Sequence, residues 1–342
     1  MIKKEWKNFV GSVVFLGIAA FLFVSISYVM RPVDLGNRDA MAGFYAEEDN
    51  TLDVVAFGSS AIYRFLNNPI LWEEYGITSY NLGTGSQQPD VAVMLANETL
   101  KTQKPDLILV ETRSFIKEEK EGKSDINFRR VSDYMNYSFD RIKYITAYTD
   151  DWSLRISMIF DICFYHELWK EFKITDLYRA DNKKDTELKG WECIYECEPQ
   201  EVPEDYSGVM PEAIDPEEEQ ELYELMDFCE AEEIALLFVA TPWKMTENRV
   251  AQNKYLEQII TKRGYHFLNC NDYIDEIGID YSKDFYDSMH TNVWGAEKVT
   301  HFIGKFMKKH FDMDLSHDEE TVKEWNRVAE SYHEKKQNGE KE

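Results

Sequence analysis

The sequence predicts an α/β fold built on a parallel sheet with helices on both faces. Two observations carry this: five strand-length apolar runs, and helix-like segments between them with apolar residues at i, i+3 and i+4. The runs are Asp53 to Phe57, Ile77 to Leu82, Asp106 to Glu111, Ile234 to Ala240 and Tyr265 to Cys270. Each is bounded by Gly, Pro or polar residues. They are mostly apolar throughout instead of alternating, as expected of strands covered on both faces. With 342 residues, 44% of them hydrophobic, the chain holds enough apolar material for one large core or two small ones.

Ahead of the first strand, Asn8 to Met30 contains no charged residue. At 1.5 Å rise per residue such a helix crosses a hydrocarbon core of about 30 Å. Lys3, Lys4 and Lys7 precede it, whereas Arg31 and Arg38 after it are mixed with Asp34 and Asp39. That bias predicts a cytoplasmic tail over 1–7, a single uncleaved spanning helix over 8–30 and an extracytoplasmic remainder.

In the helical segments, Val91, Met94 and Leu95 start one stripe, and Leu222, Leu225, Met226 and Cys229 make another. The second opens with Asp215 as N-cap, Pro216 at N1 and Glu218 at N3. The alternation of strand and helix breaks between about Ser114 and Pro211, a stretch rich in aromatics that reads as helical up to about Leu177. The expected organisation is therefore core over 31–115, a helical insertion or lid over 116–211, core again over 212–314, and a charged helix with a frayed polar tail over 315–342.

Charge and cysteine content exclude several functions. There are 38 Lys plus Arg against 64 Asp plus Glu, a net charge of −26, which repels nucleic-acid backbones. Trp191 to Trp243 alone carries 17 acidic residues and no Lys or Arg, a solvated acidic face by default. Five Cys, at 163, 193, 197, 229 and 270, are an odd count, and no clustered metal-ligand spacing accompanies them. Neither a metal nor another cofactor is expected. His-Glu-x-x-His, P-loop and Gly-x-Ser-x-Gly signatures are absent from the sequence.

Two short segments have the residue types for nucleophilic catalysis. Gly58-Ser59-Ser60 follows the first strand and leads into Ala61-Ile62-Tyr63-Arg64-Phe65, so its serine sits where free backbone N–H groups stabilise a developing oxyanion. Near the other end, Asp287-Ser288-Met289-His290 precedes an amphipathic helix with Val299, Phe302, Ile303 and Phe306. Activating a serine needs a base, and the base needs a carboxylate on its far nitrogen; a loop Asp three residues before a loop His supplies both.

Taken together, the serine after the first strand, the Gly-rich Asn81-Leu82-Gly83-Thr84-Gly85 after the second and Asp-x-x-His before the last core helix resemble the SGNH, or GDSL-type, hydrolase superfamily. The resemblance implies a three-layer α/β/α fold with a flavodoxin-like parallel sheet of about five strands. It also implies Ser60 as nucleophile, His290 as general base, Asp287 as its orienting carboxylate, and an oxyanion hole made by the Gly83 and Ser60 backbone amides. Ser59 stands where that family has Asp. The family's third block, a Gly-x-Asn-Asp-like turn, is replaced by Val110-Glu111-Thr112-Arg113, leaving Thr112 or Arg113 as substitutes for the Asn donor.

Within the superfamily, the anchor and the large insertion are similar to the D-alanyl-transfer family of the teichoic-acid system and related bacterial envelope acyltransferases. This similarity implies an acylated envelope glycan or other ester as substrate, and a membrane-bound O-acyltransferase as partner. The expected function is thus a membrane-anchored serine esterase or O-acyltransferase working through an acyl-serine. The alternatives are an inactive module of the same fold that binds a glycan or docks onto such an acyltransferase, and a lipase-like esterase with the aromatic insertion as acyl groove. Beyond Met30, 35 basic residues face 63 acidic ones, so no basic platform for an anionic polymer is apparent.

Overall fold

A computed structural model of the chain describes residues 2–31, 37–117, 123–170, 172–174 and 186–339. All five expected strands form: β1 Val54–Phe57, β2 Ser79–Asn81, β3 Leu107–Glu111, β4 Ala235–Ala240 and β5 His266–Asn269. They make one all-parallel sheet in the order β2-β1-β3-β4-β5. Register pairs Ala56 with Leu109 and Leu109 with Leu237 across the central strands.

The helices are α1 Ile2–Val29, α2 Asn37–Phe44, α3 Ile62–Phe65, α4 Asn68–Tyr75, α5 Ala92–Thr99, α6 Asp125–Ser132 and α7 Phe139–Tyr148. They continue with α8 Trp152–Ile159, α9 Ile162–Tyr165, α10 Pro216–Ala231, α11 Glu247–Lys262, α12 Ile274–Ile277, α13 Val293–His310 and α14 Glu319–Gly339. Asp215 caps α10 by accepting from Glu217 N at 2.9 Å, with Pro216 in the first turn, as the sequence predicts.

Because successive strand residues face opposite sides, one face of the sheet presents Val54, Ala56, Leu107, Leu109, Leu237 and Val239. Ile62, Phe65, Leu71, Val299, Ile303 and Met307, from α3, α4 and α13, close over it as a continuous core. The other face presents Val55, Ile108, Val110, Leu236 and Phe238, all buried, with α5 against β1 and α10 against β4. Burial on both sides is the physical reason these strands read as unbroken apolar runs.

The chain divides into two compact units, Met1–Leu35 with Ser132–Lys183, and Gly36–Val131 with Lys184–Glu342. The sheet lies in the second. The expected insertion over 116–211 thus overlaps the first unit, which contributes described residues 132–170 and 172–174 there, and the expected helix from 175 to 177 lies outside the described residues. Residues 186–198 belong to the sheet unit, where Leu188 and Trp191 pack with Tyr332. The end of the chain also differs from the frayed tail expected of it: α14 continues to Gly339 and buries Trp325 and Tyr332.

In the first unit, α1 is the one helix among the described residues long and apolar enough to cross a membrane. From Glu5 to Phe23 it is exposed throughout, and burial begins at Val24. There Phe23 meets Phe160 edge-on at 5.1 Å, and Ser27 Oγ accepts from Ile162 N at 2.8 Å. The Tyr28 hydroxyl donates to Met135 O at 3.1 Å, and Arg31 Nε donates to Asp161 Oδ2 at 2.7 Å. Asp161 also accepts from Arg141 Nη2 at 3.0 Å, so one buried carboxylate serves two buried guanidinium groups.

Candidate active site

The serine turn sits at the C-terminal end of β1. Gly58 adopts φ +154°, and a Cβ there would come within 2.6 Å of Glu111 Cβ, so the turn requires glycine. The turn delivers Ser60 just before α3, and Ile62 N closes it on Ser59 O at 3.1 Å.

Asp287 and His290 come from the loop between α12 and α13. That loop is pinched by a bridge between Phe285 and Thr291 and by Tyr286 N donating to His290 O at 2.9 Å. Its base is held by Asn292, whose Oδ1 accepts from Gly295 N at 3.2 Å and whose Nδ2 donates to Lys283 O at 2.7 Å. At the tip, Asp287 Oδ1 accepts from Met289 N at 2.7 Å and from His290 N at 2.8 Å.

These elements bring the three residues together. Ser60 Oγ lies 2.7 Å from His290 Nε2, and His290 Nδ1 lies 2.9 Å from both Asp287 carboxylate oxygens. With the Nδ1 proton donated to Asp287, Nε2 is left to accept the serine proton. Burial lowers the His290 pKa below its ordinary value; Asp287 opposes this, while the Arg113 and Arg64 charges reinforce it. The imidazole is therefore neutral, as a base must be, at pH 7. Burial alone would raise the Asp287 pKa, but hydrogen bonds from His290 and the Met289 N–H outweigh it and hold the carboxyl below its usual range.

Gly83 lies beside the serine turn. A Cβ on it would fall 2.1 Å from Ile62 Cγ2 and 3.1 Å from Ser59 O, so only glycine permits this approach. Thr84 N donates to Gly58 O at 3.2 Å, and the buried Gln87 side chain accepts from Gly58 N at 2.9 Å while donating to Leu82 O at 3.0 Å. Among the described residues neither the Ser60 nor the Gly83 N–H has a protein acceptor. Two unspent donors at this edge are what an oxyanion hole needs.

The end of β3 holds the feature that the sequence reading missed. Glu111 is fully buried and accepts from Ser59 Oγ at 3.0 Å and from Arg113 N at 3.1 Å. Burial raises its pKa, against the pull of Arg113. Arg113 is buried as well: Nη1 donates to Met289 O at 2.8 Å, Nη2 donates to Thr241 Oγ1 at 2.8 Å, and the guanidinium lies 4.3 Å from the Trp243 ring centre. Thr112 Oγ1 donates to Val239 O at 3.3 Å. Both side chains considered as substitutes for the missing Asn donor therefore spend their terminal donors on the protein. A charged residue closing an apolar run was the available signal for Glu111, and it reads equally well as a strand reaching solvent.

The chain matches no protein-family model and no curated protein. Residue geometry alone therefore carries the functional reading. All five cysteines are free, and among the described residues no three His, Cys, Asp or Glu side chains gather as a metal-holding set.

Proposed function

We propose that the chain is an SGNH-type serine esterase or O-acyltransferase, anchored by α1 with its sheet unit outside the cell. It would act on acyl esters of an envelope glycan or teichoic-acid-like polymer. The observation that carries the reading is the relay from Ser60 through His290 to Asp287, with contacts of 2.7 and 2.9 Å across segments 230 residues apart.

In this reading, Ser60 Oγ attacks the acyl carbonyl as its proton passes to His290 Nε2. Asp287 holds the imidazolium at Nδ1, and the Ser60 and Gly83 amides receive the carbonyl oxygen as it becomes an oxyanion. The bond to the leaving alcohol then breaks, and His290 returns the proton to that oxygen, leaving an acyl-serine. The acceptor, a glycan hydroxyl or water, gives its proton to His290 and takes the acyl group as the bond to Ser60 Oγ breaks, and His290 Nε2 returns the proton to Oγ, regenerating Ser60 and the neutral base.

A second reading has one observation in its favour. With Thr112 Oγ1 and both terminal nitrogens of Arg113 bonded to the protein, and only the buried Arg113 Nε without a hydrogen bond, the oxyanion site rests on the Ser60 and Gly83 amides, and loss of one donor costs roughly 10²–10³-fold in rate. An inactive module that docks on a membrane acyltransferase or a glycan fits that deficit. Fluorophosphonate labelling of the full-length protein, beside Ser60→Ala and His290→Ala, separates the two. Labelling that needs both residues is expected of the enzyme; no labelling of the folded protein favours the docking module.

A further inference from the structure

The unit containing α1 exposes large apolar side chains. Phe139 on α7 is 92% exposed, Trp152 on α8 is 72% exposed, and Trp169 is 65% exposed, with Ile156 and Phe164 also exposed. Single exposed apolar residues need no explanation, but several exposed aromatics within one small unit ask what meets them.

The bare length of α1 identifies what meets that surface. Trp6 to Phe23 is eighteen exposed residues, about 27 Å of helix, just short of a hydrocarbon core of about 30 Å. The elements packed onto Phe23, Ser27, Tyr28 and Arg31 therefore begin where the core ends. Two guanidinium groups on the one Asp161 carboxylate, and the Ser27 and Tyr28 hydrogen bonds, fix them at that depth. Charge is permissive too: Ser132 to Ile174 carries five basic against seven acidic residues, a small share of the chain's acidic excess.

We infer that this unit rests in the headgroup layer of the bilayer at the C-terminal end of α1, with Trp152 and Trp169 at the level where interfacial aromatics anchor membrane proteins. The inference rests on α1 as the membrane anchor. It does not depend on catalysis. Such seating fixes the height and tilt of the unit above the membrane instead of leaving it to swing on a single helix.

The test is tryptophan quenching in full-length protein reconstituted into phosphatidylcholine and phosphatidylglycerol vesicles with brominated acyl chains. The variants are Trp6→Phe, Trp152→Phe and Trp169→Phe; both of the latter side chains are exposed, so packing is spared. The expected result is that Trp152→Phe and Trp169→Phe each remove part of the bromolipid quenching, and that together they remove most of what Trp6→Phe leaves. Quenching lost with Trp6→Phe alone overturns the inference while keeping the anchor. Quenching unaffected by any of the three overturns both.

Discussion

Arg113 Nη1 donates to the carbonyl of Met289, the residue before His290, at 2.8 Å. The guanidinium thus braces the loop that carries His290, and its charge acts on the imidazole pKa in the sense opposite to Asp287. Arg113 is a positioning residue in this arrangement. Replacing it with Met removes a charge that depresses the His290 pKa, so the acidic limb of the labelling rate should move to higher pH. Asp287→Asn should move it lower and reduce the plateau. Arg113→Lys should restore the limb more than the rate, since one ammonium cannot serve both Met289 O and Thr241. Rates of fluorophosphonate labelling between pH 5 and 8 read all three.

Gly83→Ala places a methyl group against Ile62 Cγ2 and the Ser59 carbonyl. The turn must shift, and the labelling rate is expected to fall about 10²-fold, the scale of losing one oxyanion donor. Ile62→Ala in the same chain opens the side-chain part of the clash and should recover a fraction of the rate. No recovery would place the obstruction at the Ser59 and Gly58 carbonyls.

Asp90 has both carboxylate oxygens buried without partners, and burial, with help from Glu221, raises its pKa to about 7. The unfolded value is about 3.9. Between these the folded state binds the extra proton, so the contribution of Asp90 to stability is highest at low pH and declines as pH rises from about 4 to about 7. Asp90→Asn, which cannot ionise, should match wild type at pH 4 and exceed it at pH 8 by up to about 4 kcal/mol. Thermal unfolding at the two pH values checks this.

Asp161→Leu leaves Arg31 and Arg141 buried without the carboxylate they share. Breaking a buried pair costs roughly 3–5 kcal/mol, enough to open the unit built on Ser132 to Ile174. Limited proteolysis should then cut within that segment. Since Ser60, Asp287 and His290 lie in the other compact unit, Ser60 labelling should persist.

The legible parts of this protein were those whose cause is local. Five strands showed themselves because burial on both faces forces apolar runs, and α10 because Asp215 and Pro216 announce its start. Ser60, Asp287 and His290 were named through the resemblance of their segments to the blocks of the SGNH superfamily, and the fold brings all three together. Glu111 was not legible, because a buried carboxylate depends on Ser59, 52 residues earlier, and on Arg113 turning back under the base loop. For α14 the helix was legible but its burial was not: its apolar stripe is sparse, and only Trp191 and Trp72 in space explain why Tyr332 and Trp325 are buried. Nor could Arg31 and Asp161 be paired in advance across 130 residues.

Tyr332, near the C-terminus, packs edge-on against Trp191 at 5.4 Å, and Trp325 sits against Trp72. The serine turn is synthesised 230 residues before His290, and the core over α4 closes only when α14 packs on it. Pairings so distant in sequence make slow folding nuclei. On the proposed mechanism Ser60 stays unactivated until His290 has been made and docked, and a chain cut before His290 exposes a serine that has nothing to take its proton.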